Sequence, residues 1–378
     1  MKVAMLGHKR IPSREGGVEI VVEQLAVRMV EQGHEVTVYN RKGSHVSGKN
    51  ISGDVQIEKE YKNIRVVTVP TFQKKSLNAI VYSFLATLHV ITHKYDVVHY
   101  HAEGPCAMIP LAKLFGKKCV ATIHGLDWQR SKWGGFATKF LLFGEKMAAK
   151  YADEVIVLSK NVQKYFLETY QRETKYIANG IDKQIRIKPE IIKEKYALYG
   201  ADYYLFLARI VPEKGLHYLI EAYEALQTDK KLVIAGGSSH TDDYVKEIRE
   251  KCEGNTNIIM TGFVQGQELQ ELFSNCFAYV LPSDIEGMPI SLLEAMSFGC
   301  NCLVSNIPEN LEVVKDMAFS FEKGNAESLK EKMNGLEVLS QEEWQFNREQ
   351  IAKYADENFG WEDVVEKTLQ VYESIIGK

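Results

Sequence analysis

Short β-rich runs alternate with amphipathic helical stretches along most of this chain, and the alternation occurs twice. In the first half KVAMLG, HEVTVYN, IRVVTVP, YDVVHYH, KCVATIHG and EVIVLS are strand-like. Between several of them lie helical patterns such as GGVEIVVEQLAVRMVEQG, SLNAIVYSFLATLHVITH and ATKFLLFGEKMAAKYA. Apolar strands separated by helices rather than hairpin turns require a parallel sheet covered on both faces. The pattern pauses at KYIANGIDKQIRIKPEIIKEKYALYGAD, a polar and irregular stretch that reads as a linker. It restarts with YYLFLAR, KLVIAGG, NIIMTGFV, FAYVLPS and NCLVSN, again separated by helical runs, and is mainly helical after about residue 325. The predicted fold is α/β, two doubly wound Rossmann-like domains facing across a cleft. The first domain is 1–183 and the second 184–355, with a terminal helix in 356–378 crossing back to the first. A chain of 378 residues suits two cores better than one. Open sheets of this kind hold ligands beyond the carboxyl ends of their strands.

Composition narrows the class without naming an activity. Hydrophobic content of 45% and charged content of 25% are those of a soluble globular protein. MKVAMLGHKR is a strand pattern rather than a signal peptide. The longest apolar stretch, LNAIVYSFLATLHVITH, is interrupted by Asn78, Ser83, Thr87 and His89, and falls short of a membrane span. Cys106, Cys119, Cys252, Cys276, Cys300 and Cys302 lack disulfide or zinc spacing, so buried thiols in a reducing cytoplasm are expected. The net charge of −4 hides an asymmetry: residues 1–183 carry 27 Lys and Arg against 17 Asp and Glu, the remainder 19 against 33. A basic first half suits an anionic membrane surface or lipid carrier, although two domains of different pI would leave the same imbalance. Nothing in the pattern calls for nucleic acid.

Four constellations carry candidate chemistry. Glu286 and Glu294 stand eight residues apart in EGMPISLLEAMSFG, a spacing that can line one side of a helix start. Gly287 permits close backbone approach, Pro289 suits a first helical turn, and the free amides there can hold an anion. Arg209 and Lys214, in LARIVPEKG, are two cations at a strand end that can neutralise a diphosphate; solvated loop charges would look the same. Gly16 and Gly17 open the first helix and can contact a phosphate, or serve only as a turn; no G-x-G-x-x-G is present, which argues against a nicotinamide or flavin enzyme. His124 ends an apolar strand in VATIHGLDWQRSKWGG, beside Asp127, Trp128, Arg130 and Trp133. The following helix interleaves Lys132, Lys139, Lys146 and Lys150 with Phe136, Phe140 and Phe143, as a surface touching anionic lipid would, or a helix facing the core. No D-x-D stands at a strand end, since Asp242 and Asp243 begin a helix, so no metal is expected.

The order G-G, IHG, R-x4-K and E-G-M-P-x-S-x-x-E-A-M, closing on W-E-x-V and a later Tyr, resembles glycosyltransferase family 4, the retaining enzymes of the GT-B fold. The stretch HGLDWQRSKWG further resembles bacterial members that build cell-surface polysaccharide, rhamnosyltransferase-like ones included. The resemblance implies a nucleotide-sugar donor (UDP-, GDP- or dTDP-linked), no cofactor, and a lipid-linked or glycan acceptor. It implies a cytoplasmic enzyme at the inner face of the membrane. It places Glu286 at the sugar hydroxyls and anomeric carbon, Glu294 at the ribose, Arg209 and Lys214 at the diphosphate, and His124 at the reacting face. Amides from Met288 through Pro289 to Ile290 would extend the anion site, Phe263 would lie near the base, Gly17 would approach the phosphate, and Asp127 falls on the acceptor side. The two glutamates then act as hydroxyl acceptors, and the leaving phosphate, rather than a carboxylate, takes the proton. A sugar-nucleotide epimerase of the same architecture and a non-catalytic sugar-nucleotide-binding subunit remain as alternatives.

Overall fold

A computed structural model describes residues 1–14, 16–42, 59–71, 75–130, 134–237 and 241–377, with backbone alone at 75–77. It divides into two compact units, Met1–Gly180 with Trp361–Lys378, and Ile181–Gly360. The first unit holds β1 (Lys2–Leu6), β2 (Glu35–Arg41), β3 (Glu60–Tyr61), β4 (Ile64–Val69), β5 (Val97–His101), β6 (Cys119–Ile123), β7 (Glu154–Val157) and β8 (Lys175–Tyr176). They form one sheet in the order β3-β4-β2-β1-β5-β6-β7-β8, parallel except for β3 against β4. Every residue of β5 and β6 is buried, as strands covered on both faces require. Strand order reverses between β1 and β5, which pair directly.

The second unit holds β9 (Tyr203–Leu207), β10 (Lys231–Ala235), β11 (Ile258–Gly262), β12 (Ala278–Leu281), β13 (Asn301–Ser305) and β14 (Phe319–Phe321). Its order is β11-β10-β9-β12-β13-β14, with every pair parallel and the reversal between β9 and β12. The short end strands β3, β8 and β14 gave no separate signal in the sequence, being too brief for a period-2 pattern.

The unit boundaries differ from the expected ones for a packing reason. The helix Gln341–Asn358 runs across the expected boundary at 355 and stays with the second unit. Its Trp344 donates to Phe277 O at 3.1 Å, and its buried Arg348 donates to Gly299 O at 2.6 Å and Ser274 O at 2.9 Å. The last helix, Trp361–Ile376, belongs to the first unit, where Tyr372 meets the His99 ring at 2.6 Å and Arg28 lies over Trp361 at 5.9 Å. The polar stretch read as a linker is fastened rather than loose. Buried Glu271 accepts the Glu190 and Ile192 amides at 2.9 and 3.0 Å, and Ser297 Oγ accepts the Gln184 amide at 3.1 Å.

One glycine sets the approach of β12 to the segment after β9. Gly215 has φ +65°, and a Cβ there would stand 2.0 Å from Pro282 O. Gly215→Ala combines left-handed backbone cost with a backbone clash, so it should destabilise the second unit by at least about 2 kcal/mol. Chemical denaturation of the full chain measures this; an unchanged midpoint would show that the contact is not tight.

Candidate active site

In the second unit the site assembles where strand order reverses. β9 runs into Arg209, which is half-buried, and its Ile210 amide bonds Gly237 O beyond β10 at 3.0 Å. The chain then makes a short turn, Pro212–Lys214, before the helix Leu216–Glu224. From the other side β12 leads through Pro282–Pro289 into the helix Ile290–Ser297. The Asp284 amide donates to Glu213 O at 2.9 Å, which ties the two segments together. Lys214 Nζ forms an ion pair with Glu286, and their side chains are only 12% and 7% exposed. A pair so shielded persists only with close geometry, because each charge has lost most of its water.

The helix-face reading of the two acids needs correction. Glu286 lies in the loop ahead of the helix, and Glu294 alone is helical, half-buried in the second turn. What gathers Glu286 into the site is its lysine, not helical periodicity. Pro289 is the residue before the helix rather than in its first turn, and it has no N–H to offer. The anion-binding amides therefore reduce to those that follow Pro289. Those of Ile290 and Ser291 have no acceptor among the described residues. Buried Tyr279 holds this helix start by donating to Ser291 Oγ at 2.9 Å. Gly287, Met288 and Ile290 are buried around it. Phe263, just past β11, is 44% exposed, with its Cβ 3.9 Å from where a Cβ on Gly237 would lie.

The first unit gathers its candidates beyond β1, β5 and β6. His124 follows β6, and its Nε2 lies 3.0 Å from Nδ1 of His101 at the end of β5. The His101 ring lies against that of His99, tilted by 33° with centroids 4.1 Å apart, and His99 bonds Thr122 Oγ1 and Tyr372 OH, each at 2.6 Å. His8, after β1, bonds Asn40 at 3.0 Å. Burial pushes His124 and His8 down to about 4 and His99 to about 3, and holds His101 well below its usual value. Asp127 pairs with Arg130 at 3.0 Å, and its amide donates to Glu103 Oε1 at 3.2 Å. Burial, with Asp127 and Glu145 close by, raises Glu103 to about 11. Glu145 accepts Trp128 Nε1, Tyr165 OH and Tyr170 OH at 3.2, 2.8 and 2.6 Å. The sequence reading missed His8, His99, His101, Glu103 and Glu145. The available signal was V-V-H-Y-H, where two histidines on one face of an otherwise apolar strand are too polar to be mere core.

Gly16 and Gly17 sit at the first helix as expected, Gly16 extended and Gly17 opening it. A carboxylate oxygen of buried Glu19 would lie 2.4 Å from a Cβ on Gly16, so this helix start already carries an anion from its own first turn. In the helix Gly135–Tyr151, Leu141, Gly144, Glu145, Ala148 and Ala149 face inward. Phe136, Lys139, Phe143, Lys146 and Lys150 are exposed at spacings that share the opposite face. Lys132 and Trp133 lie outside the described residues. Among those residues no helix is long and apolar enough to cross a membrane.

The histidine cluster gives the fold a pH dependence with a definite sign. Each ring titrates near 6.5 when unfolded and lower when folded, so the unfolded chain binds more protons as pH falls below 6.5. Their stabilisation is complete above 6.5 and is lost on acidification. Glu103 acts oppositely over the same window and offsets one histidine. Unfolding free energy should drop between pH 6.5 and 5 by at least about 1.4 kcal/mol per pH unit, the slope of one net histidine. Denaturant titrations across that range check it, and a flat profile would mean that the rings are not buried neutral.

Comparison with known proteins identifies the architecture. Residues 15–185 match the family described as Glycosyltransferase Family 4, and residues 188–357 match that described as Glycosyl transferases group 1. An uncharacterized glycosyltransferase of Methanocaldococcus jannaschii is 28% identical over 396 residues, covering 98% of each chain. The UDP-Gal:alpha-D-GlcNAc-diphosphoundecaprenol alpha-1,3-galactosyltransferase of Escherichia coli is 28% identical over 272 residues, covering 67% of this chain and 69% of that one. The structure of Anabaena HepE in complex with UDP-glucose superimposes with a TM-score of 0.79 at 18% identity, over 99% of this chain and 100% of that one. With paired parallel sheets of this topology, the chain is a glycosyltransferase of the GT-B architecture.

Proposed function

We propose that this enzyme is a retaining transferase that moves a sugar from a nucleoside diphosphate to a lipid-linked or glycan acceptor, in the synthesis of cell-surface polysaccharide. The observation that carries the reading is the shielded Lys214–Glu286 pair beside Arg209, at the strand ends where an open sheet binds its ligand. The Escherichia coli relative is named for a diphosphoundecaprenol acceptor, and HepE has been seen with UDP-glucose; both favour this donor and acceptor chemistry. In this reading the donor is a UDP-, GDP- or dTDP-sugar, and the resemblance carried by HGLDWQRSKWG keeps a deoxyhexose among the sugars.

In this mechanism the bond between the anomeric carbon and the diphosphate oxygen breaks, and its electrons leave with the diphosphate. The acceptor hydroxyl forms the new bond on the same face and passes its proton to the departing phosphate oxygen. Arg209, Lys214 and the amides around Ile290 stabilise the charge that develops there. Glu286 accepts sugar hydroxyls and Glu294 ribose hydroxyls, and Phe263 offers a face to the base. Two side-chain cations at the diphosphate leave no step that requires a metal.

The exposed face of Gly135–Tyr151, with two phenylalanines among three lysines, supports docking on the anionic cytoplasmic surface of the membrane. Each lysine near such a surface contributes about 1 kcal/mol. Flotation with phosphatidylcholine vesicles containing phosphatidylserine should show binding that weakens with salt. Reversing Lys139, Lys146 and Lys150 to Glu should abolish it, and equal binding to neutral vesicles would overturn the reading.

The donor is found by thermal shift against UDP-, GDP- and dTDP-sugars, since a bound donor raises the melting temperature by mass action. With that donor, Lys214→Gln should lower turnover roughly a hundredfold, as loss of a preorganised transition-state donor does. Near-normal turnover in a variant that is still folded at the assay temperature would remove Lys214 from the chemistry.

A further inference from the structure

His101 is fully buried at the end of β5, and the reading of this enzyme as a sugar transferase gives it no task. We propose that His101 is a positioning residue that locks His124 into one tautomer, with His124 Nδ1 carrying the proton and serving as a hydrogen-bond donor. Its part in catalysis rests on the transferase reading; the tautomer does not.

The argument starts from the axis between His101 Nδ1 and His124 Nε2, which are 3.0 Å apart. Both rings are neutral because burial disfavours their charged forms, so a single proton lies on that axis. If His124 Nε2 held it, the proton of His101 would sit on its Nε2, which is buried with no partner among the described residues. That would strand an N–H in the interior, the rarest kind of orphan. If His101 Nδ1 holds it, the buried His101 Nε2 is a bare lone pair, and the proton of His124 must reside on Nδ1.

The neighbouring ring shows that this cluster accepts the second arrangement. Asn40 Oδ1 receives the Ile11 amide at 3.0 Å, and Asn40 Nδ2 donates to Ile11 O at 2.9 Å, which fixes the amide orientation. His8 Nε2, 3.0 Å from that same oxygen, must therefore be the donor. Its Nδ1 is then a bare, buried lone pair without a partner among the described residues. The parallel with His101 Nε2 is direct.

The backbone keeps His101 in place. A Cβ on Gly7, where φ is +119°, would stand 2.0 Å from His101 O, so β1 and β5 are pressed together at this point. The next residue, Ala102, has φ +70° and ψ 159°, a conformation that only glycine adopts freely, and its amide bonds Thr122 O at 2.9 Å. The His99 ring lies against that of His101 from one side. Asp127, Glu19 and Arg130 are the charged groups that bear on His124. A neutral His124 whose only free position is an N–H cannot act as a base. It can donate to an oxygen of the ligand, and so favours a sugar that bears an acceptor there.

Long-range proton–nitrogen correlation spectra of the full chain, labelled with nitrogen-15 at histidine, read the tautomers directly at pH 7 without ligand. The proton should lie on Nδ1 in both His101 and His124. Finding it on His124 Nε2 overturns the proposal. In His101→Phe, His124 should become a mixture of tautomers; in His101→Asn, whose amide places an N–H near the old Nδ1, the Nδ1–H form should return. A His124 spectrum unchanged in His101→Phe also overturns it, and if that variant does not fold, the parent spectrum and His101→Asn decide. With whichever of the UDP-, GDP- and dTDP-sugars is consumed, His101→Phe should lower kcat about tenfold or more with little change in donor KM, and His101→Asn should restore most of it. If no sugar is transferred, the transferase reading fails while the tautomer result stands.

Discussion

The ion pair of Lys214 with Glu286 is the constraint on which the second unit's site depends. The two residues are 72 positions apart, and they meet because β12 returns to pair with β9 while β10 and β11 lie on the opposite side of it. The Gly215–Pro282 approach and the Asp284–Glu213 bond hold the two segments that carry the lysine and the glutamate side by side. In so shielded a place, removing one partner strands the other, a loss of about 3–5 kcal/mol. The helix start at Ile290 is carried on the loop that bears Glu286, and Arg209 lies just upstream of the turn that bears Lys214. The positions of the cations and of the free amides are thus consequences of one pairing.

What the sequence showed of this follows a physical division. Repeated apolar runs with helices between them announced two parallel sheets, because burial on both faces leaves a continuous apolar trace. Arg209, Lys214, Glu286 and Glu294 stood out in the sequence as charges among apolar surroundings, and of these the structure pairs Lys214 with Glu286. The manner of their meeting was not legible. Periodicity suggested that the two glutamates share a helix face, whereas a tertiary ion pair places Glu286 in a loop. His101, Glu103 and Glu145 escaped notice because their partners are distant in sequence and their significance comes from burial. Nothing in the local pattern around Glu145 says that Trp128, Tyr165 and Tyr170 will all point at it. The unit boundary moved for a similar reason: Gln341–Asn358 is amphipathic like its neighbours, and only the bonds of Arg348 and Trp344 assign it to the second sheet.

The two units offer opposite kinds of chemistry. The second presents formal charge: Arg209 and Lys214 against Glu286 and Glu294, with helix amides beside them. The first buries an uncharged cluster at its strand ends, its histidines held neutral and Glu103 raised to about 11, with the Asp127–Arg130 pair close by. Neutral groups in a dry interior act through direction rather than field, because each hydrogen bond is strong there and any misplaced donor is costly. In the proposed transfer charge separates at a diphosphate, and the second unit's cations and amides are the groups suited to answer it, while a sugar is an array of hydroxyls whose recognition depends on which partner donates and which accepts. Burial that drives His124 to about 4 keeps its ring uncharged across the whole physiological range. The desolvation that makes the cluster vulnerable to acid is therefore the same property that fixes which of its groups donate and which accept.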